Sequence, residues 1–266
     1  MRSARMAAFA AAFLLLGVAG WAYQQRRSSY QYEREMQNPA DDPPDAEVPG
    51  EWAFARLRYR SVRSGWRRGS WATDSNKAER VFTQGVRRLT RIHARSVEEI
   101  IDVDSDDVFN WPWLYAVEVG HWNLTEPQAR RLRDYLDRGG FLMVDDFHGS
   151  YEWEVFMESL RRIFPDRVVV DLPSGDPIFH VLYDLDQRFQ VPGRQYIWSG
   201  RTYERDGVEA KYRAIFDEKG RVQVGICHNM DLGDAWEWAD DPQYPEAFAS
   251  LAYRIGINYI VYPMTH

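Results

Sequence analysis

The clearest pattern in the chain runs from Thr125 to Gly149. Ala129, Leu132 and Leu136 recur at helical spacing, Thr125 and Gln128 stand three apart as in a capping box, and Pro127 suits a first turn. Gly139-Gly140 stop that helix. Phe141-Leu142-Met143-Val144 then form an apolar run without polar alternation, which predicts a strand covered on both faces, the habit of parallel sheets. It leads into Asp145-Asp146-Phe147-His148-Gly149, a polar crest at a strand's carboxyl end, where open α/β sheets hold ligands.

The same alternation of strand and helix extends both ways. Ala55, Leu57 and Tyr59 alternate with Arg56 and Arg58 as on a half-exposed strand. A loop rich in Gly, Arg and Trp follows, through Gly65 to Trp71. Ala78, Val81, Phe82, Gly85, Leu89 and Ile92 then share a helical face, with Asn76 and Glu79 at capping-box spacing. Val97 to Val103 predicts a weaker strand. Leu114 to Val119 predicts a stronger one, ending at Glu118, Gly120 and His121. Trp153, Phe156, Met157, Leu160 and Ile163 mark a helix after the crest, and Val168-Val169-Val170 a further buried strand. Beyond the Pro-containing stretch Asp171 to Gly207, Lys211 to Phe216 and Val222 to Ile226 predict an antiparallel hairpin. A last helix begins at Pro245-Glu246 and stops before Pro263. The fold class expected is α/β: a three-layer, flavodoxin-like sandwich with a mostly parallel central sheet and an added antiparallel hairpin.

Composition changes this picture at the N-terminus. Arg2 and Arg5 precede an apolar run from Met6 to Ala19, so residues 1–23 read as a signal peptide, or as an N-terminal membrane anchor if retained. Residues 24–50 are acidic and Pro-rich with almost no aliphatic side chains, which predicts a disordered linker. Residues 51–266 form the single α/β domain. The expected location is exported, periplasmic or on the extracytoplasmic face of the membrane. A formal net charge of −7 argues against a nucleic-acid partner. Twelve Arg or Lys stand against two acids between Arg56 and Arg95, a local basic face that either meets an anionic partner or balances the acidic run from Glu98 to Asp107. One cysteine, Cys227, excludes an internal disulfide and a Cys-based metal cluster.

Two polar crests carry the candidate chemistry. The first is Asp145, Asp146 and His148, with Glu152 a turn later. The second is Asn229 to Trp238, holding Asn229, Asp231, Asp234, Trp236 and Glu237. Glu118 and His121 are a further rim candidate, and His180 could reach the same rim. Trp122, Trp153 and Trp236 are expected to wall a cleft. Carboxylates crowded at strand ends can hold a divalent metal, with Asp145, Asp146 and Asp231 as the ligand set, or serve as helix caps and turn anchors. No strict metal motif is present. The turn after the central strand, where a nucleophilic Ser or Cys would sit, carries Asp145-Asp146 instead, which disfavours covalent acyl transfer. The reading is therefore a binding or assembly domain for a polar ligand, a saccharide first, or for an envelope protein partner. Its rival is a metal-assisted or carboxylate-dependent hydrolase with His148 as proton donor.

Several stretches together resemble the bacterial family called domain of unknown function 4159. They are Phe54 to Tyr59, Trp71 to Asp74 before Lys77-Ala78-Glu79, Leu132 to Leu142, Asp145-Asp146-Phe147, Phe164-Pro165, Pro177-Ile178-Phe179, Asn229 to Trp238, and Asn258 to Tyr262. The resemblance covers residues 51–266. It implies a flavodoxin-like sheet related in shape to class I glutamine amidotransferases, usually in exported proteins, and brings no activity with it. An amidotransferase would carry a cysteine where this chain has Asp145-Asp146, so glutaminase chemistry does not transfer.

Overall fold

A computed structural model of the chain describes residues 32–33, 35–37, 39–61 and 70–266. The chain divides into a unit Met1–Arg34, of which only Tyr32 and Glu33 are described, and a unit Glu35–His266. The expected export segment, 1–23, and the loop from Gly65 to Gly69 lie outside the described residues. Among those described, no helix is long and apolar enough to cross a membrane.

Among the described residues, seven strands form one sheet: β1 (Ala55–Arg58), β2 (Glu99–Asp102), β3 (Trp113–Val117), β4 (Phe141–Asp145), β5 (Val170–Asp171), β6 (Lys211–Phe216) and β7 (Val222–His228). Their spatial order is β2-β1-β3-β4-β7-β6-β5. The first five positions are parallel, and β6 pairs antiparallel with β7 and β5. This is the doubly wound α/β order of a flavodoxin-like sandwich, extended by an antiparallel edge. The second hairpin strand, β7, is thus the fifth parallel strand and not an appendage. Its pairing with β4 places the two polar crests side by side.

Helices α1 (Lys77–Leu89), α2 (Glu126–Asp137), α3 (Gly149–Ile163), α4 (Tyr196–Ser199), α5 (Leu232–Glu237) and α6 (Glu246–Thr265) cover the sheet or its loops. α2 packs with α3, while α1, α5 and α6 pack together as a second layer. The capping box forms: Thr125 Oγ accepts from Gln128 N and Gln128 Oε1 from Thr125 N. Under α1 and α5 lies an aromatic cluster, where Phe54 meets Phe82, Trp113, Tyr115 and Trp236 edge to face.

Four expectations change. Val168 to Val170 is not buried: only Val170 and Asp171 pair, on the sheet's exposed edge, where an apolar residue needs no second layer. β1 is not half-exposed, because Arg56 is fully buried against Glu79 and donates to the carbonyls of Trp71 and Thr73 at 3.0 and 2.9 Å. Asn76 makes no side-chain cap on α1, binding Glu98 and the Ala40 amide instead. α6 continues past Pro263 to Thr265.

The stretch expected as a free linker behaves differently from Glu35 onward. Met36 is buried, Glu35 binds Arg58 and the Trp71 indole, Asp42 binds Arg80, and Asp45 binds Arg87. A polar segment that cannot fold alone is ordered here by charge complementarity with α1 and its neighbours. Arg95 pairs with Glu99 and Arg58 also with Asp102, so much of the basic face is matched internally.

Candidate functional site

β3, β4 and β7 lie next to one another, and the first residue past each carboxyl end is polar and left-handed: Glu118 (φ 54), Asp146 (φ 52) and Asn229 (φ 63). Asp74 (φ 62), just before α1, and Arg205 (φ 52) complete the set of non-glycine residues with positive φ among those described. All five gather at one edge of the sheet. Such backbone is costly for residues with a Cβ and concentrates where a site demands it. Asp146 occupies the sharp strand-to-helix turn between β4 and α3.

The carboxylates of Asp74, Asp146 and Asp231 are buried, and an oxygen from each lies within 4.8 Å of the others. A second trio, Asp74, Asp234 and Glu237, meets the same criterion and shares Asp74. Asp74 Oδ2 is buried without a hydrogen-bond partner. It faces Gly233, between Asp231 and Asp234, where a Cβ would come within 2.5 Å of it. Loop 190–208 runs over the cluster: Gly193 lies against Asp231 and Asp234, Arg194 N donates to Asp234 Oδ2 at 2.6 Å, and Val191 O accepts from Asp231 N. Burial pushes the Asp74, Asp146 and Asp231 carboxyls well above the usual range. Neighbouring acids add to it: Asp234 for Asp74, Glu118 for Asp146 and Asp146 for Asp231. Glu204, in the overlying loop, is raised by burial and by Glu118 and Asp234.

The remaining expected residues have other roles. Asp145 is sealed from solvent, and its Oδ2 accepts from Leu232 N (2.8 Å), Gly233 N (3.1 Å) and Tyr115 OH (3.0 Å). It therefore anchors the start of α5 from across the β4–β7 pair, and is absent from the carboxylate trios. Burial raises its carboxyl to about 7 even so. Asn229 joins the crests, accepting from Gly149 N and donating to Glu209 O, so both ends of its amide are committed to backbone. His148 Nε2 lies 3.2 Å from Asp146 Oδ1. Burial, helped by Arg205 and His228, holds its imidazole down at about 3, so near pH 7 it is neutral and lacks the imidazolium form that would serve as a general acid. Glu118 and His121 form a separate group with Glu152, His121 Nδ1 lying 2.6 Å from Glu118 and Nε2 3.2 Å from Glu152, which Arg205 also binds.

The tryptophans do not wall a cleft. Trp236 is buried with its ring 4.2 Å from that of Phe82, and Trp122 is buried on Phe156. Trp153 alone of the three is partly exposed, beneath the Arg213 guanidinium. His180 pairs with Asp184 and Ser174 O rather than with any crest residue. Cys227 is buried, and burial raises its thiol well above the usual range, which makes it inert. A cavity of about 780 Å³ opens at the opposite, amino ends of β4 and β7. Its arginines Arg133, Arg138, Arg167 and Arg221 pair with Asp134, Asp137, Asp166 and Asp217.

Asp74 and Glu204 are the residues that reading the sequence missed. Both sit in loops, and nothing local marks either as facing Asp146 or Asp231.

A family model described as Domain of unknown function (DUF4159) matches residues 53–264, and the chain belongs to that family. No curated protein matches it significantly.

Proposed function

We propose that this member of the DUF4159 family is a cation-dependent binding domain, and that Asp74, Asp146 and Asp231 hold a hard divalent cation, Mg²⁺, Mn²⁺ or Ca²⁺, at the carboxyl edge of the sheet. The observation that carries the reading is the buried, unpartnered Asp74 oxygen within a trio of buried carboxylates. Three such groups repel one another and lose their hydration. A divalent ion with oxygen ligands relieves both costs at once, and carboxylate oxygens suit hard cations rather than thiophilic ones. Asp146 and Asp231 retain slight exposure, 7% and 5%, which leaves a ligand room to complete the coordination shell. A hydroxyl-rich ligand such as a saccharide fragment fits a cation presented in this way. The pattern of residues 1–23 supports export, which would place the domain in the cell envelope.

Hydrolysis is the less supported reading. The proton donor assigned to it, His148, is neutral near pH 7, and Cys227 is sealed. The test is thermal melting of the chelator-stripped full chain against Mg²⁺, Mn²⁺ and Ca²⁺, followed by saccharide-fragment binding with and without the cation. A melting shift in the parent that Asp146→Asn and Asp231→Asn abolish is expected, with fragment binding only in the loaded form. No shift with any of the three ions would overturn the cation, and fragment binding unaffected by chelator would overturn its role.

A further inference from the structure

Asp74 brings to the trio an oxygen, Oδ2, with no hydrogen-bond partner among the described residues, whereas Asp231 Oδ1 accepts from Asp234 N at 2.8 Å and Asp146 Oδ1 lies 3.2 Å from His148 Nε2. With no donor on that oxygen, the direction of the carboxylate is set by the backbone, which is left-handed here (φ 62). That backbone is held by a distant part of the chain. Asp74 N donates to Gln37 Oε1 at 2.8 Å, across 37 positions of sequence. We infer that Gln37 is a positioning residue for the cation site, and that segment 35–45 is a strap whose docking and the binding of the ion each favour the other. The inference rests on the cation reading above and gives that site a regulator.

The geometry at Asp74 is a clamp. Arg56 donates to Thr73 O at 2.9 Å, and Thr73 O belongs to the same peptide unit as Asp74 N. The planar unit is therefore fixed at its oxygen by Arg56 and at its N–H by Gln37, which stops it rotating and fixes the direction in which the Asp74 side chain leaves the backbone. Asp74 is only 3% exposed, so an amide that lost this acceptor would have no water to replace it and the loop would have to shift. Gln37 does not act alone. The Glu35 carboxylate accepts from the Trp71 indole at 3.0 Å, Met36 is buried, and Ala40 N donates to Asn76 Oδ1 at 2.8 Å. The strap thus grips residues 71–76 at their start, middle and end. Farther along, Arg80 binds Asp41 O and Asp42, and Arg87 binds Asp45. A docked strap holds Asp74 in place before an ion arrives, and a bound ion holds residues 71–76 in the shape that the strap fits. By linkage, the factor by which the strap raises ion affinity equals the factor by which the ion favours docking of the strap. Withdrawal of segment 35–45 therefore lowers occupancy of the site.

The experiment uses the chelator-stripped full-length protein with Mn²⁺ alone, reading affinity by equilibrium dialysis and amide exchange by hydrogen–deuterium mass spectrometry. Gln37→Met keeps the length of the side chain and removes the acceptor. It should weaken Mn²⁺ by about tenfold and speed exchange in peptides covering residues 71–76, with circular dichroism confirming its fold. Gln37→Glu keeps an acceptor oxygen at the same reach and should bind Mn²⁺ at least as tightly as the parent. In the parent itself, saturating Mn²⁺ should slow exchange in peptides covering residues 35–45. Parent-like affinity in Gln37→Met, or exchange in segment 35–45 indifferent to Mn²⁺, would overturn the inference and leave the cation reading standing. Equal weakening in Gln37→Met and Gln37→Glu would overturn the acceptor role assigned to Gln37. No Mn²⁺ bound by the parent would remove both the inference and the cation reading.

Discussion

Arg56 sets the loop that carries Asp74, and its replacement tests that link most directly. The guanidinium is fully buried, pairs with Glu79, and donates to the carbonyls of Trp71 and Thr73, the latter adjacent to Asp74. Arg56→Met keeps most of the volume and removes the charge and the fork. Breaking a buried pair from one side costs about 3–5 kcal/mol, because the partner stays buried and uncompensated. The two carbonyls that lose their donor add about 1 kcal/mol each. The sum, roughly 5–7 kcal/mol, is comparable with the whole stability of many domains. Arg56→Met combined with Glu79→Met removes the stranded carboxylate, leaving roughly 2 kcal/mol from the carbonyls. The double variant should therefore be more stable than the single one by about 3 kcal/mol or more in urea unfolding. The pH dependence has a definite sign. Burial already raises the Glu79 carboxyl in the parent. Without Arg56 it rises further, so the single variant regains stability on acidification and loses it as pH climbs through that raised value. Cation binding should stay weakened in both variants, since neither restores the donors that hold Trp71 and Thr73. A double variant no more stable than the single one would refute the claim that an uncompensated buried charge dominates the effect.

Three further outcomes follow from particular contacts. Asp145→Asn should leave Mn²⁺ stoichiometry unchanged while Asp146→Asn reduces it, measured by equilibrium dialysis, because Asp145 Oδ2 is taken up by the first turn of α5 and Tyr115. Gly225→Ala should cost about 1–3 kcal/mol in urea unfolding: a Cβ there lies 2.6 Å from Tyr259 Cε2 and 3.2 Å from Phe141 Cζ, two buried rings with nowhere to withdraw. His228, whose imidazole burial holds down at about 4, stays neutral in the folded state while the unfolded chain takes up a proton below its ordinary value of 6.5. Its contribution is full above that pH and is lost towards pH 4, by up to about 3 kcal/mol, so His228→Gln should flatten the acid limb of the stability profile.

The sheet and its crests were legible because they depend on near neighbours in the chain. The apolar run Phe141 to Val144 is a strand covered on both faces, and Thr125 with Gln128 caps the helix before it, both decided within a few residues. Reading failed where an outcome depended on a distant partner. Arg56 looks like the outward residue of an alternating strand until Glu79 is placed beside it. The acidic stretch after Glu35 looks unable to fold until α1 presents Arg80 and Arg87 to Asp42 and Asp45. Val168 to Val170 looks like a covered strand, yet burial depends on a second layer that the sheet's edge lacks.

The same distinction explains why the carboxylate that groups with Asp146 and Asp231 is that of Asp74 and not that of Asp145. Asp145 and Asp146 are adjacent in sequence, yet in a strand successive side chains point to opposite faces. As the last strand residue, Asp145 points under the edge to the backbone of α5, while the left-handed turn at Asp146 redirects its carboxylate toward Asp231. One residue of register thus separates an anchor from a candidate cation ligand of identical chemistry. Asp74 enters the cluster because Arg56 on β1, itself paired with Glu79 on α1, donates to the carbonyls of the loop before it, a dependence that no local spacing records. The buried ion pair on β1 and the carboxylate cluster at the sheet edge are therefore coupled parts of one arrangement. Loss of Arg56 should be felt as weaker cation binding even where the fold survives.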